Sequence, residues 1–140
     1  HGPFYRADIL VRWIPDARDV AQLLHQHRAL SAQEWQSLGR AVRQLHDEQV
    51  LHCDLNCHNL MLDAQGKAWI VDFDKCGFRA GESWKTNNLT RLLRSLRKEL
   101  RLDPALHWSE ATHWPAFLNG YRLEQDAEIA PVAAHDPEAR

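Results

Sequence analysis

The amino-acid sequence predicts an α+β fold that is mainly helical and includes one small β-hairpin. Apolar residues recur at helical spacing in several segments between residues 19 and 121, so each segment can bury one face. Two short apolar runs, 60–62 and 68–71, are joined by a polar stretch that contains Gly66, which is typical of a hairpin. The chain has 140 residues, of which 44% are hydrophobic and 26% charged, which is enough for one domain with its own core.

The first half begins with a predicted strand and two predicted helices. Residues 5–14 are rich in β-branched and aromatic side chains and predict one strand or two short ones, ended by Pro15. A short helix is expected over 19–27. Ser31 and Glu34 have the spacing of a capping box, which predicts a second helix after Ser31. The apolar face of that helix is formed by Trp35, Leu38, Val42 and Leu45.

The second half of the sequence predicts two more helices. Residues 77–81 are expected to form a loop, after which Asn87 or Asn88 can cap a helix that ends before Pro104. Residues 125–140 are acidic and have no apolar period, so a disordered tail is expected there. The apolar positions of the two helices are Leu89, Leu92, Leu93, Leu96 and Leu100, and then Trp114, Phe117, Leu118 and Tyr121.

Charge, apolar runs and cysteine content indicate which partners and which environment the sequence favours. The formal net charge is −2, so no global basic field indicates a nucleic-acid partner, and we predict neither a nucleic-acid nor a protein partner. No run of 18 apolar residues is present in the sequence. Three cysteines do not form a disulfide framework, which favours a reducing environment. Because the first residue is His1, we expect the chain to be a piece of a longer protein.

The polar loop that precedes the first of these apolar runs, residues 52–59, is named here the candidate catalytic loop. It contains the Asp54 carboxylate and the Asn59 amide, and the Asp72 carboxylate follows the second run. Phosphoryl transfer needs such groups, because one carboxylate can accept or orient the proton of the attacking hydroxyl. The other carboxylate and the amide can hold Mg²⁺ against the phosphates of ATP. We therefore predict Asp54 as the catalytic group, and Asn59 and Asp72 as the residues that bind the metal and the nucleotide.

The spacing of these residues resembles the kinase signature H-R-D-L-x-x-x-N followed by D-F-G. Within that superfamily the sequence is most similar to the lipopolysaccharide kinases that act on 3-deoxy-D-manno-octulosonic acid (Kdo). The residues behind this similarity are His52-Cys53-Asp54-Leu55-Asn56, His58-Asn59, Val71-Asp72-Phe73-Asp74-Lys75-Cys76-Gly77, Trp84 and Asn88-Leu89-x-Arg91-Leu92-x-Arg94-Ser95-Leu96-x-Lys98.

The resemblance implies the C-terminal lobe of a protein-kinase-like fold, with the N-lobe largely absent. Residues 1–16 would be the last N-lobe strand and the hinge, 17–124 the C-lobe, and 125–140 the tail. The implied reaction is ATP-dependent phosphorylation of a hydroxyl of Kdo on a lipid A precursor. It would occur at the cytoplasmic side of the inner membrane, with peripheral membrane contact. No Gly-rich loop precedes residue 5, so we expect the isolated chain to be inactive.

Several positions depart from the protein-kinase pattern. Cys53 replaces the usual Arg, Asn56 replaces a Lys, and Asp74 replaces the Gly of D-F-G, which removes a flexible hinge. The segment from Asp74 to Trp84 is short and contains no Ala-Pro-Glu motif. Because protein kinases use that segment to bind peptides, these departures favour a small-molecule or glycolipid acceptor.

Some of these residues have other interpretations. We expect His52 to anchor the loop backbone, although zinc binding by His52, Cys53, Cys57 and His58 is an alternative. The basic face of the third predicted helix is either a solvated surface or a surface that captures lipid phosphates or anionic headgroups. It comprises Arg91, Arg94, Arg97, Lys98 and Arg101.

Two further alternatives concern the function itself and the residues after the D-F-D run. Lys75 and Arg79 either contact the acidic sugar or a phosphate, or they are surface residues. The first functional alternative is another small-molecule kinase or a heptose kinase of the lipopolysaccharide pathway. The second is a kinase-like binding module without catalysis, which the presence of Asp54, Asn59 and Asp72 disfavours.

Overall fold

A computed structural model describes residues 14, 16–74 and 76–127, which form four helices and five short strands. The mixed helix and sheet composition confirms the predicted α+β class. Most of the predicted N-terminal strand and hinge, Lys75 and residues 128–140 lie outside the described residues. In chain order the elements are β1 (Arg18–Asp19), α1 (Val20–His25), α2 (Ala32–Asp47), β2 (Val50–His52), β3 (Leu60–Leu62), β4 (Ala68–Ile70), β5 (Cys76–Phe78), α3 (Ser83–Leu102) and α4 (Glu110–Ala127).

Local side-chain caps start the first two helices. The Asp19 carboxylate accepts the backbone N–H of Gln22 at 2.8 Å and thereby begins α1. At α2, the Ser31 hydroxyl accepts the N–H of Glu34 at 3.1 Å, and the Glu34 carboxylate accepts the N–H of Ser31 at 2.8 Å. The capping box predicted from the sequence is therefore confirmed, and each such cap contributes about 1 kcal/mol.

Helices α2 and α4 pack with their backbones in direct contact. A Cβ added at Gly39 of α2 would overlap the carbonyl oxygen of Phe117, and one added at Gly120 of α4 would overlap that of Gln36. This close approach requires glycine at both crossing positions. The core contains the predicted apolar positions except Leu45, which is half-buried and outside it. Its buried side chains include Trp35, Leu38, Val42, Leu92, Leu96 and Phe117.

Two small antiparallel sheets lie beside the helices. The first has the strand order β1-β3-β4, and its β3–β4 hairpin pairs Leu60 with Ile70. In the turn of this predicted hairpin, Gly66 has φ of +77°, and the Asp63 carboxylate accepts the N–H groups of Gln65 and Lys67. The second sheet pairs β2 with β5. His52, at the start of the candidate catalytic loop, is thereby paired with Cys76, which follows the segment of Asp72.

Three sequence-based boundaries are wrong in detail. The predicted loop over 77–81 begins inside β5, because residues 76–78 pair with the distant strand Val50–His52. The predicted cap at Asn87 or Asn88 is incorrect, because α3 already begins at Ser83 and Asn88 is buried within it. Helix α4 continues to Ala127, so the first residues of the predicted tail, 125–127, are helical.

None of the described helices has the length and apolar character needed to cross a membrane.

Candidate active site

His52 holds the candidate catalytic loop to the end of the hairpin. Its ring Nε2 donates to the backbone carbonyl of Val71 at 2.9 Å. Its Nδ1 accepts the backbone N–H of Asp54 at 3.2 Å, so the ring is the neutral Nε2–H tautomer. Both ring nitrogens are used for backbone contacts, which confirms the predicted anchoring role of His52.

Asp54 and Asn59 are joined across the loop. The Asn59 amide nitrogen donates to the backbone carbonyl of Asp54 at 2.8 Å. The backbone carbonyl of Asn59 accepts the N–H of Val71 at 2.9 Å, so the same residue also holds the chain that leads to Asp72. Asn59 is 8% exposed, whereas the Asp54 side chain faces solvent. The Asp54 carboxylate thus lies at the surface, on a loop whose backbone is held by the buried Asn59 side chain.

Asp72 adopts a backbone conformation that is unfavourable for a residue with a side chain. Its φ of +64° lies in the left-handed region, which typically costs about 1–3 kcal/mol outside glycine. The preceding residue, Val71, is held through both backbone groups, its N–H by Asn59 and its carbonyl by His52. Such strain persists where neighbours determine the backbone, and it is common at functional sites. The Asp72 side chain is exposed.

The oxygen atoms of Asn59 and Asp72 fit the preferences of Mg²⁺. The side-chain nitrogen of Asn59 donates to the backbone carbonyl of Asp54, so the side-chain oxygen of Asn59 is left available. No described group donates to this oxygen. Asp72 adds a carboxylate from the chain segment that Asn59 itself holds. Amide and carboxylate oxygens are the hard ligands that Mg²⁺ binds, usually together with substrate phosphates. The predicted metal-binding pair is therefore chemically suitable.

Helix α3 fastens the candidate catalytic loop at three points. The Asn88 amide donates to the carbonyl of His52 at 2.7 Å, and the Ser95 hydroxyl accepts the N–H of Cys57 at 3.0 Å. Further along, the Glu99 carboxylate accepts His58 Nε2 at 2.9 Å. None of the three contacts was predicted. The signal available in the sequence was the spacing of Asn88, Ser95 and Glu99, which places these three polar residues on one side of a Leu-rich helix.

The buried side chain of His46 connects the Asn88–His52 hydrogen bond to helices α2 and α4. His46 Nε2 donates to the Asn88 amide oxygen at 2.9 Å, and its Nδ1 accepts the hydroxyl of Tyr121 at 2.8 Å. Burial lowers the pKa of His46, which keeps the ring neutral as this pattern requires. A continuous hydrogen-bonded chain therefore runs from α4 through α2 and α3 to the carbonyl of His52.

Glu99 joins α1 to the candidate catalytic loop. One of its oxygens accepts His25 Nε2 at 2.7 Å and the other accepts His58 Nε2, while the Glu99 side chain is only 7% exposed. Burial alone would raise the pKa of the Glu99 carboxyl, but the two imidazole hydrogen bonds outweigh it, so its pKa lies below the ordinary value. The ionised carboxylate is thus the form that the fold stabilises.

The alternative zinc site of His52, Cys53, Cys57 and His58 is not assembled among the described residues. His52 is committed to the backbone, and Cys53 is exposed. Cys57 and His58 instead have potential ligand atoms within 4.8 Å of a Glu99 oxygen. Burial raises the pKa of the Cys57 thiol to about 11, which disfavours the thiolate that zinc requires.

Asp54 opens onto a groove of about 370 Å³ between the loop and α3. A second cavity of about 420 Å³, which Arg79 lines, shares Arg91 and Arg94 with this groove. An exposed carboxylate beside cationic walls can accept a proton from a hydroxyl whose carrier is anionic. The remaining lining residues of the groove are Asn56, Arg91, Arg94, Ser95, Lys98 and Arg101.

Comparison with known proteins identifies several kinases that are similar in sequence to this chain. The chain is 46% identical over 123 residues to the 3-deoxy-D-manno-octulosonic acid kinase of Photobacterium profundum, covering 88% of this chain and 51% of that protein. It is 42% identical over 125 residues to the kinase of the same name from Vibrio cholerae, covering 89% and 52%. The corresponding Haemophilus influenzae (strain PittGG) kinase is 47% identical over 103 residues, covering 71% and 42%. The chain thus spans about half the length of these curated relatives.

Residues 1–121 match the Lipopolysaccharide kinase (Kdo/WaaP) family. The matched range contains every residue of the candidate site, from the His52 anchor to the basic wall of the groove. This match also confirms the protein-kinase-like fold class predicted from the loop motif. By motif, architecture and overall similarity, the chain is a member of the lipopolysaccharide kinase (Kdo/WaaP) family.

Proposed function

We propose that the protein carrying this chain transfers the γ-phosphate of ATP to a hydroxyl of Kdo on a lipid A precursor. The relatives described above are named as kinases of this sugar acid. The single observation that supports the proposal most is the exposed Asp54 carboxylate, which faces a basic groove while its loop is tied to Asn59 and to the chain before Asp72. We assign the phosphotransfer lobe to residues 17–124.

In the proposed reaction Asp54 accepts the proton of the acceptor hydroxyl. The hydroxyl oxygen then forms a bond to the γ-phosphorus as the bond to the β-phosphate oxygen breaks and ADP leaves. Asn59 and Asp72 would hold Mg²⁺, which would neutralise phosphate charge. The chain's own contribution is chiefly positioning, because His52 and Asn59 fix the backbone on both sides of the reacting groups.

We further propose that the protein works at the cytoplasmic side of the inner membrane as a peripheral enzyme. The acceptor is a glycolipid, so its sugar must be reached at a membrane surface.

The test is an acceptor panel with the full-length protein, labelled ATP and Mg²⁺. The acceptors are a Kdo–lipid A precursor, a heptosylated core, an aminoglycoside and a generic peptide. Label on the Kdo lipid that disappears in Asp54→Asn would support the proposal. Label on the heptosylated core or the aminoglycoside would replace the proposed substrate by another kinase activity. ATP binding without transfer to any acceptor would favour the kinase-like binding module.

A further inference from the structure

Four basic residues of α3 form one stripe beside Asp54. They are spaced by three, four and three positions, which places them on the same side of a helix with 3.6 residues per turn. All four line the groove that also contains Asp54. This basic stripe consists of Arg91, Arg94, Lys98 and Arg101.

The basic stripe is not neutralised within the described part of the chain. No described carboxylate lies within ion-pair distance of its four side chains, all of which are exposed. Arg97 on the same helix differs, because its Nε donates to Glu110 at 2.7 Å and a second guanidinium nitrogen contacts the other oxygen. Like charges at this spacing repel one another and disfavour the helix. An anion in the groove would relieve that repulsion.

The hydrogen bonds of α3 hold the basic stripe at a constant position relative to Asp54. Asn88, Ser95 and Glu99 bond to His52, Cys57 and His58 of the candidate catalytic loop, as described above. These three contacts and the stripe occupy adjacent sides of one helix. An anionic group bound by the stripe would therefore keep its distance from the Asp54 carboxylate, which is the requirement for presenting one particular hydroxyl.

We propose that the basic stripe binds an acidic group of the phosphate acceptor, a carboxylate or a phosphate, and so positions the acceptor hydroxyl at Asp54. Guanidinium groups match the two oxygens of a carboxylate or phosphate with paired N–H donors. The groove has space for a sugar unit next to these donors. This inference rests on the proposed function and adds the acceptor subsite to it.

The first experiment measures acceptor and nucleotide kinetics of the full-length protein, with the Kdo–lipid A precursor in neutral detergent micelles. In one variant Arg91, Arg94 and Lys98 are all replaced by Gln. Loss of a charge-assisted contact weakens binding by about 10- to 100-fold. We expect the KM for the acceptor to rise by at least that factor, while the KM for ATP stays unchanged and the thermal unfolding temperature does not fall. Arg97→Gln is the matched control and should leave the acceptor KM unaltered.

A second measurement distinguishes the carboxylate from the phosphate. Binding of the acceptor to the nucleotide-free protein is followed by calorimetry with three ligands: the intact precursor, its Kdo methyl ester and a precursor without lipid A phosphates. If the carboxylate is the group bound, the methyl ester binds weakly, and its affinity for the triple variant equals its affinity for the wild type. If a phosphate is the group bound, the precursor without lipid A phosphates binds weakly instead, with equal affinity for the two proteins.

Three outcomes would overturn the proposal. The first is equal binding of the intact precursor by the wild type and the triple variant, and the second is no binding by either. The third is an unchanged acceptor KM in micelles combined with lost binding to phosphatidylglycerol vesicles, which would make the stripe a membrane-facing surface. If the wild type transfers phosphate to no Kdo acceptor, the proposed function fails, while the calorimetric comparison still decides whether the stripe binds the acidic group.

Discussion

Replacing Asn88 by Asp tests whether α3 holds the candidate catalytic loop in place. The amide of Asn88 is 3% exposed, and it donates to the His52 carbonyl while accepting from His46. Asn88→Asp keeps the shape but exchanges the donor for an oxygen, so two acceptors face each other. An unsatisfied buried carbonyl costs about 1–3 kcal/mol, and a partly compensated buried charge adds to this. We expect the free energy of unfolding to fall by about 2–4 kcal/mol.

The assay is chemical denaturation of the full-length protein, with Asn87→Asp as the matched control. Asn87 is the neighbouring residue on the same helix and is exposed, so the same chemical change there should alter stability by less than about 0.5 kcal/mol. Equal stability of the two variants would refute the argument, because it would mean that the hydrogen bond to His52 contributes nothing. Unfolding of the Asn88 variant at lower denaturant with an unchanged m-value would support it.

Three further predictions concern helix packing, a buried carboxylate and the metal ligands. Gly39→Ala should destabilise by about 1–3 kcal/mol despite the better helix propensity of Ala, because its Cβ overlaps the Phe117 carbonyl. Gly77→Ala, whose Cβ would meet nothing within 4 Å, is the control in the same denaturation assay, and equal effects would contradict the packing. The lowered pKa of Glu99 means that its stabilisation is complete above the ordinary value of 4.5 and is lost as the pH falls through its folded value. Glu99→Gln should therefore make unfolding free energy less dependent on pH in that acidic range than in the wild type, and parallel pH profiles would exclude this role. Asp72→Asn should raise the Mg²⁺ concentration for half-maximal activity by at least about tenfold, since even residues that only support a metal ligand contribute about 10- to 100-fold. A Mg²⁺ titration with an unchanged midpoint would remove Asp72 as a ligand.

Local features of the fold could be predicted from the sequence because neighbouring residues determine them. The capping box needs only Ser31 and Glu34, which satisfy each other's backbone within one helical turn. The hairpin turn likewise depends on Gly66 and on the Asp63 carboxylate three residues before it. The anchoring role of His52 was predicted from the loop motif and is confirmed by its two backbone contacts.

Features that depend on distant partners were missed. Asn87 or Asn88 was predicted to cap the helix because Asn favours caps, but the amide of Asn88 is satisfied by His52 and His46 from other elements. Strand β5 has a short sequence with Gly77 at its centre, and it forms only because Val50–His52 pairs with it. The linkage of Glu99 to imidazoles on α1 and on the candidate catalytic loop could not be read from periodicity, since a polar residue within an apolar helix does not reveal its partner.

The most direct test of the central claim is single-turnover phosphate transfer by the full-length protein, wild type against Asp54→Asn. Labelled ATP and the Kdo–lipid A precursor are both supplied at saturating concentration with Mg²⁺, and ATP affinity is measured separately. If Asp54 accepts the hydroxyl proton, the transfer rate falls by about 10²- to 10⁴-fold while ATP affinity is retained. Transfer to the Kdo lipid at the wild-type rate in Asp54→Asn would contradict the assignment of Asp54 as the catalytic group.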